Sequence, residues 1–78
     1  MSYFLLVYDR RDGRLIREPA VFADADAGLA LKARFEMEDE QRAHPNIEVV
    51  LLGSDSLETL RSTHARYFKS LRQIATST

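Results

Sequence analysis

An unbroken run of six apolar residues, Tyr3-Phe4-Leu5-Leu6-Val7-Tyr8, lies almost at the start of the chain. Six residues are too few for an independent helix, and aromatic and β-branched side chains favour extended structure, so the run predicts a β-strand. Side chains of a strand alternate between its two faces, and here both sets are apolar. We therefore predict a central strand that is buried on both faces or that presents one apolar face to a partner.

The chain has 78 residues, of which 45% are hydrophobic and 29% are charged, and this composition predicts a single folded domain over residues 1–78 with residues 75–78 frayed. The absence of cysteine excludes disulfides and thiolate chemistry and fits a reducing compartment. No apolar run approaches membrane-spanning length, and the N-terminal residues lack the pattern of a secretory signal. A cytoplasmic protein without a membrane contact is the expectation.

Turn-forming residues from Asp9 to Gly13 follow the first strand and predict a hairpin. Its second strand is predicted over residues 14–22. Pro19 lies within that strand and has no backbone donor, so we expect this strand at an edge of the sheet.

Two helices and a third strand complete the predicted order. Residues 25–43 are rich in helix formers and end before Pro45, while residues 46–52 form a second apolar run that predicts a strand. Asp55 and Glu58 have the spacing of a capping box for the second helix. Its apolar stripe at intervals of three and four residues consists of Leu57, Leu60, His64, Tyr67, Leu71 and Ile74.

The predicted fold is a two-layer α+β domain of order ββαβα. The hairpin makes the first two strands antiparallel, and Pro19 directs the third strand to the other side of the first. This gives a three-stranded antiparallel sheet in the order 2-1-3 with both helices on one face. The alternative is one helix on each face, which would cover both apolar faces of the first strand.

Helices on one face would leave the other face of the sheet bare, and a contiguous apolar patch usually marks an interface. We therefore expect a protein partner at this face, most simply a second copy in a homodimer. The candidate interface residues are Tyr3, Leu5, Val7, Val49 and Leu51. If one helix lay on each face instead, no such patch would exist.

A second candidate surface combines charges of both signs at one end of the domain. The topology brings the hairpin turn close to the C-terminal ends of the two helices, where several acids oppose the helix dipole. The acids either dock a basic partner or neutralise the chain's own arginines. The members of this charged pole are Arg10, Arg11, Arg14, Arg66, Lys69, Arg72, Glu36 and Glu40.

The charged pole also suggests an alternative class, a protein associated with nucleic acid or with the ribosome, whose arginines would contact phosphates while tyrosines stack on bases. A formal net charge of −1 and the absence of a helix-turn-helix or RNA-recognition motif disfavour this class.

Residues that could carry catalysis or hold a metal are sparse. His64 falls within an apolar stripe and is interpreted as a packed side chain, since no nucleophile or acid stands at a recognised spacing from it. Glu40 and His44 share a helix face, but two ligands make a weak metal site. The three glycines are isolated, so no phosphate-binding loop is expected. We predict a non-enzymatic binding or accessory protein with no cofactor and no metal.

Overall fold

The computed structural model describes residues 1–68 and has an α+β architecture. Over these residues a four-stranded antiparallel sheet is combined with two α-helices and two single 3₁₀ turns. In chain order the elements are β1 (Ser2–Asp9), β2 (Arg14–Leu15), β3 (Ala20–Phe22), a 3₁₀ turn (Asp24–Asp26), α1 (Ala27–Glu40), β4 (Ile47–Ser54), α2 (Leu57–Thr63) and a second 3₁₀ turn (Ala65–Tyr67).

The first strand is the centre of the sheet, as its composition predicts. On one side β1 pairs antiparallel with both β2 and β3, and on the other side it pairs antiparallel with β4 along its whole length. The β1–β4 ladder runs from Ser2 opposite Ser54 to Asp9 opposite Ile47. The predicted placement of the hairpin and the last strand on opposite sides of β1 is therefore confirmed.

The prediction of one strand over residues 14–22 is wrong, because this segment forms two short strands, β2 and β3, along the same side of β1. Between them lie Arg17, Glu18 and Pro19. Charged residues and a residue without a backbone donor interrupt pairing, so the ladder breaks there and resumes at Ala20. The hairpin turn itself follows the expected chemistry, since Gly13 has a φ of 68°.

The two helices cover opposite faces of the sheet, so the prediction of both helices on one face is wrong. Phe4, Leu6 and Tyr8 form one core with Leu60 of α2 and with Tyr67. Strand alternation turns Leu5 and Val7 to the other face.

Leu5 and Val7 are nevertheless only 4% and 1% exposed. Helix α1 contacts β1 and β4, and its Ala30 is fully buried, so α1 covers this second face. The physical reason is that β1 is apolar on both faces, and burying each large apolar side chain stabilises the fold by about 1.5–3 kcal/mol.

Helix α1 lies against the sheet with a stripe of mostly small or flexible side chains. Apart from Ala30, these residues are half-buried and recur at helical spacing. The stripe consists of Ala30, Ala33, Arg34, Met37 and Gln41. Larger apolar residues of the same helix, Leu29, Leu31 and Phe35, remain exposed. The face that α1 buries is therefore not its most hydrophobic face.

Helix α2 is shorter than predicted and is capped by a different residue. It begins after Ser56, whose side chain accepts a hydrogen bond from the Thr59 N–H at 3.1 Å, so the predicted capping box of Asp55 and Glu58 is replaced by this serine cap. It ends at Thr63, and a 3₁₀ turn then positions Tyr67. The predicted continuation through Leu71 and Ile74, and the predicted fraying of residues 75–78, lie outside the described residues.

Candidate binding surfaces

The predicted apolar interface is largely covered by the chain itself. The β1–β4 register places Leu5 opposite Leu51 and Val7 opposite Val49, so the predicted residues do form one patch. However, Leu5 and Val7 are buried, and the remaining three residues, including Tyr3, are half-buried. The expected bare sheet face is therefore absent from this part of the fold, because α1 covers it.

Strand β4 instead presents a free edge. Its partner is β1, and within residues 1–68 no strand pairs with its other side. The hydrogen-bonding parity of the ladder can be read from the pair just beyond its end, where the Arg10 N–H donates to the Asn46 carbonyl at 2.9 Å. Residues of an antiparallel strand alternate between bonding to one side and to the other. Even-numbered β4 residues therefore bond to β1, and odd-numbered ones point away from it.

The outward-pointing backbone groups of Val49, Leu51 and Gly53 are named here the β4 edge. Ile47 has the same parity, but its N–H donates to the His44 carbonyl at 3.0 Å, so its donor is already used. The β4 edge thus offers three N–H groups and three carbonyls at alternate positions along a strand of eight residues. This is the pattern to which an extended polypeptide can add by backbone hydrogen bonds.

The two sides of the sheet differ in how they discourage such pairing. On the β2–β3 side, Arg17, Glu18 and Pro19 interrupt the edge with charge and a missing donor. On the β4 side, the strand sequence Ile-Glu-Val-Val-Leu-Leu-Gly-Ser has one charged residue, Glu48, and no proline. Of the two sides of the sheet formed by residues 1–68, the β4 side is therefore the more open to strand addition, in sequence as well as in geometry.

Two exposed apolar residues of α1, Leu31 and Phe35, are named here the α1 flank. They are 43% and 58% exposed and lie one helical turn apart on one side of the buried stripe. Strands β3 and β4 are parallel to each other, and α1 connects them, so we expect the right-handed form that nearly all such crossovers adopt. With that hand, the α1 flank faces the side of the domain on which β4 is the outermost strand.

One predicted member of the charged pole, Arg66, forms a cluster with Glu48 and Tyr67, which we call the Arg66 cluster. The Tyr67 hydroxyl donates to Glu48 Oε2 at 2.7 Å, and Arg66 donates to the same oxygen at 3.1 Å and also to the Tyr67 hydroxyl. The Arg66 guanidinium lies 4.3 Å from the centre of the Tyr67 ring, and that ring packs edge-on against Tyr8 at 5.0 Å. These contacts hold the 3₁₀ turn that follows α2 against β1 and β4.

Burial raises the pKa of Tyr67 above its ordinary value, and the hydrogen bond to Glu48 acts in the same direction while Arg66 opposes it. The pKa of Arg66 is raised as well, chiefly by its hydrogen bond to the Tyr67 hydroxyl. Both shifts favour the protonated forms, so the cluster stays a neutral phenol between a carboxylate and a guanidinium. Its chemistry is that of a structural clamp.

The other predicted members of the charged pole form local contacts. Arg10 donates from its side chain to the Pro45 carbonyl, which places the hairpin beside the loop before β4, and Arg14 lies 4.0 Å from Asp12. Arg11, Glu36 and Glu40 are exposed. Among residues 1–68 no ion pair joins the acids of α1 to the hairpin arginines. Lys69 and Arg72 lie outside the described residues.

Neither histidine is placed in a reactive group of side chains. His64 is half-buried at the end of α2, with its ring centre 6.4 Å from that of Tyr67, and His44 is exposed. Across residues 1–68 no three His, Asp or Glu side chains converge as metal ligands would. A shallow depression beside α2 is lined by Leu57, Glu58 and Arg61.

Comparison of the chain with protein-family models, curated proteins and solved structures found no match. Neither helix within residues 1–68 combines the length and the apolar character needed to cross a bilayer.

The sequence interpretation missed the β4 edge, although its signal was present. The predicted order 2-1-3 already makes the last strand an outer one, and its segment lacks the proline that marks the other edge strand.

Proposed function

We propose that this chain is a cytoplasmic, non-enzymatic binding protein that associates with another polypeptide by strand addition at the β4 edge. The observation that carries the proposal is the outward backbone of Val49, Leu51 and Gly53, which has no partner strand within residues 1–68. Backbone hydrogen bonds supply affinity in this mode, and alternate side chains supply selectivity.

The proposal keeps the association that the sequence predicts and moves its location. The face that includes Tyr3, Leu5 and Val7 lies largely beneath α1, whereas an added strand needs only the side of β4. The single acid of β4 supports the same location, because the Glu48 carboxylate is held by Arg66 and Tyr67 and its side chain is 26% exposed. An incoming strand therefore meets few unpaired charges, which would resist desolvation.

The experiment uses the full chain made by chemical synthesis with single backbone N-methyl groups. N-methylation at Leu51 removes one outward donor without removing a β1–β4 hydrogen bond. The matched control is N-methylation at Val21 of β3, at the other edge of the sheet. Val21 pairs with Phe4 without hydrogen bonds, so its N–H points away from β1. The size of each labelled chain is measured by gel filtration, alone at increasing concentration and in native cell extract.

We expect the unmodified chain and the Val21 control to migrate as larger species under at least one of these conditions, and the Leu51 variant to migrate as a monomer. A Leu51 variant that assembles as well as the control would overturn the proposal. An unmodified chain that is monomeric under every condition would overturn it too.

A further inference from the structure

We infer that the strand accepted by the β4 edge is β4 of a second copy, so that two sheets join into one continuous antiparallel sheet about a two-fold axis at Leu51. This inference rests on the proposed function and names the partner. Three features of the molecule lead to it, namely the parity of the edge, the position of the α1 flank and the distribution of charge.

The β4 edge is complementary to itself. A two-fold axis perpendicular to an antiparallel sheet passes between a residue and its own copy, and outward-pointing residues then face outward-pointing residues. An axis at Val50 would set Gly53 opposite Ile47 of the second copy, whose donor is occupied, whereas an axis at Leu51 avoids this. With the axis at Leu51, Leu51 faces its copy and Val49 faces Gly53 of the second copy. All three outward donors then find outward carbonyls, giving about six hydrogen bonds between the strands. Ile47, whose donor is occupied by His44, falls outside the paired segment.

The α1 flank lies where the same axis would place two helices side by side. Measured from the end that α1 and β4 share, the flank lies about 8–14 Å along α1 and the segment from Val49 to Leu51 lies about 7–13 Å along β4. The axis therefore passes close to the level of Leu31 and Phe35. Two antiparallel copies of α1 on one face of the joined sheet would bury these exposed side chains against each other, as packed helices do at about 8–10 Å.

Charge favours the Leu51 axis over an axis through Val49. With the axis at Leu51, the two Glu48 residues stand about 20 Å apart along the strand direction, beyond the screening length at physiological salt. With the axis at Val49 the two Glu48 residues would stand about 7 Å apart, and β4 has no basic residue that could offset their repulsion. With the axis at Leu51, Glu48 faces the neutral Ser54 of the second copy.

Two exposed residues of α1 provide a matched test. Phe35 on the α1 flank and Leu29 on the other side of the buried stripe are 58% and 59% exposed, so glutamate at either position remains in water in the monomer. Sedimentation of the full chain is followed over a wide concentration range for Phe35→Glu and Leu29→Glu. We expect a dimer whose dissociation constant rises about tenfold or more in Phe35→Glu and changes little in Leu29→Glu.

The register is tested by single cysteines, since the chain has none of its own. Leu51→Cys places two thiols opposite each other at a Cα separation of about 5.5 Å, within disulfide range, whereas Ile47→Cys places them far apart. Under mild oxidation we expect a covalent dimer of Leu51→Cys only. A covalent dimer of Ile47→Cys, or none of Leu51→Cys, would overturn the register.

The outcomes separate this inference from the proposed function. A purified chain that stays monomeric at all concentrations, yet enters a complex in extract that N-methylation at Leu51 abolishes, overturns the second copy as partner and leaves strand addition standing. A dimer that is insensitive to N-methylation at Leu51 overturns both. Equal dissociation constants for Phe35→Glu and Leu29→Glu overturn the helix contact that the inference requires.

Discussion

Two adjacent valines of β4 offer a direct test of the edge geometry. Val49 and Val50 have the same side chain, both are half-buried, and each can be replaced by proline. Proline is tolerated in an edge strand where the lost N–H faces away from the sheet. The ladder parity makes Val49 such a position, whereas the Val50 N–H faces Leu6 of β1. The two substitutions should therefore differ greatly in cost.

The size of the difference follows from the surroundings of Leu6. Leu6 is fully buried, so its carbonyl cannot turn to water when Val50→Pro removes its donor. The lost hydrogen bond costs about 1 kcal/mol and the buried unsatisfied carbonyl costs about 1–3 kcal/mol more. The change from valine to proline is shared by both variants and cancels in the comparison. Val50→Pro should thus be less stable than Val49→Pro by about 2–4 kcal/mol, a large share of the stability of so small a domain.

The assay is urea unfolding at low protein concentration, followed by circular dichroism, with the free energy of unfolding extrapolated to water. Low concentration keeps association from adding to the measured stability. A larger loss in Val49→Pro would show that the outward and inward positions are exchanged, and equal losses would show that the two N–H groups do not differ in this way. The β4 edge, and with it the strand-addition proposal, would then have to be abandoned.

Two further predictions concern the core and the Arg66 cluster. Tyr67→Phe keeps the ring against Tyr8 but removes the hydroxyl, so chemical denaturation should show a loss of about 1–2 kcal/mol. The pKa of Tyr67 is raised in the folded state, so the unfolded chain loses this proton first, and the stability contributed by the hydroxyl should decline as pH rises above about 10. Parallel pH profiles for the wild type and Tyr67→Phe would argue against this origin. Leu5→Asp buries a charge beneath α1 and should unfold the domain, whereas Val21→Asp, at a position 61% exposed, should change stability by less than about 0.5 kcal/mol. A folded Leu5→Asp in circular dichroism would mean that this face is open after all.

The sequence predicted the centre of the fold because β1 combines strong strand propensity with apolar residues on both faces. The same two-sided pattern predicts cover on both faces, and this alternative is the one that the structure adopts. The prediction of a bare face is wrong because α1 packs on the Leu5 and Val7 face of the sheet. It packs there through Ala30, Ala33 and Arg34, whereas Leu31 and Phe35 are exposed. Small residues let the helix approach the sheet closely, so the packed face of α1 cannot be predicted from the hydrophobicity of its residues alone.

The candidate sites were less predictable than the fold. Arg66 was predicted as a member of the charged pole, but its partner Glu48 was not, because Glu48 lies 18 positions away on β4. Tyr67, the immediate neighbour of Arg66, reaches the same carboxylate over 19 positions. Such contacts depend on where α2 ends, and the predicted helix ran past that point. The hairpin arginines and the acids of α1 were expected to meet, but Arg14 pairs with Asp12 in its own turn. Short-range pairs need less ordering of long side chains, which favours them over distant ones.

The pairing of β1 with β4 also governs how the chain must be made. These strands join residues about forty to fifty positions apart, so the longest ladder of the sheet closes only after most of the domain has been synthesised. Until then one edge of β1 has no partner strand and part of its apolar surface is exposed to water, which favours aggregation. During translation we therefore expect the N-terminal segment to be most prone to aggregation before β4 has been synthesised.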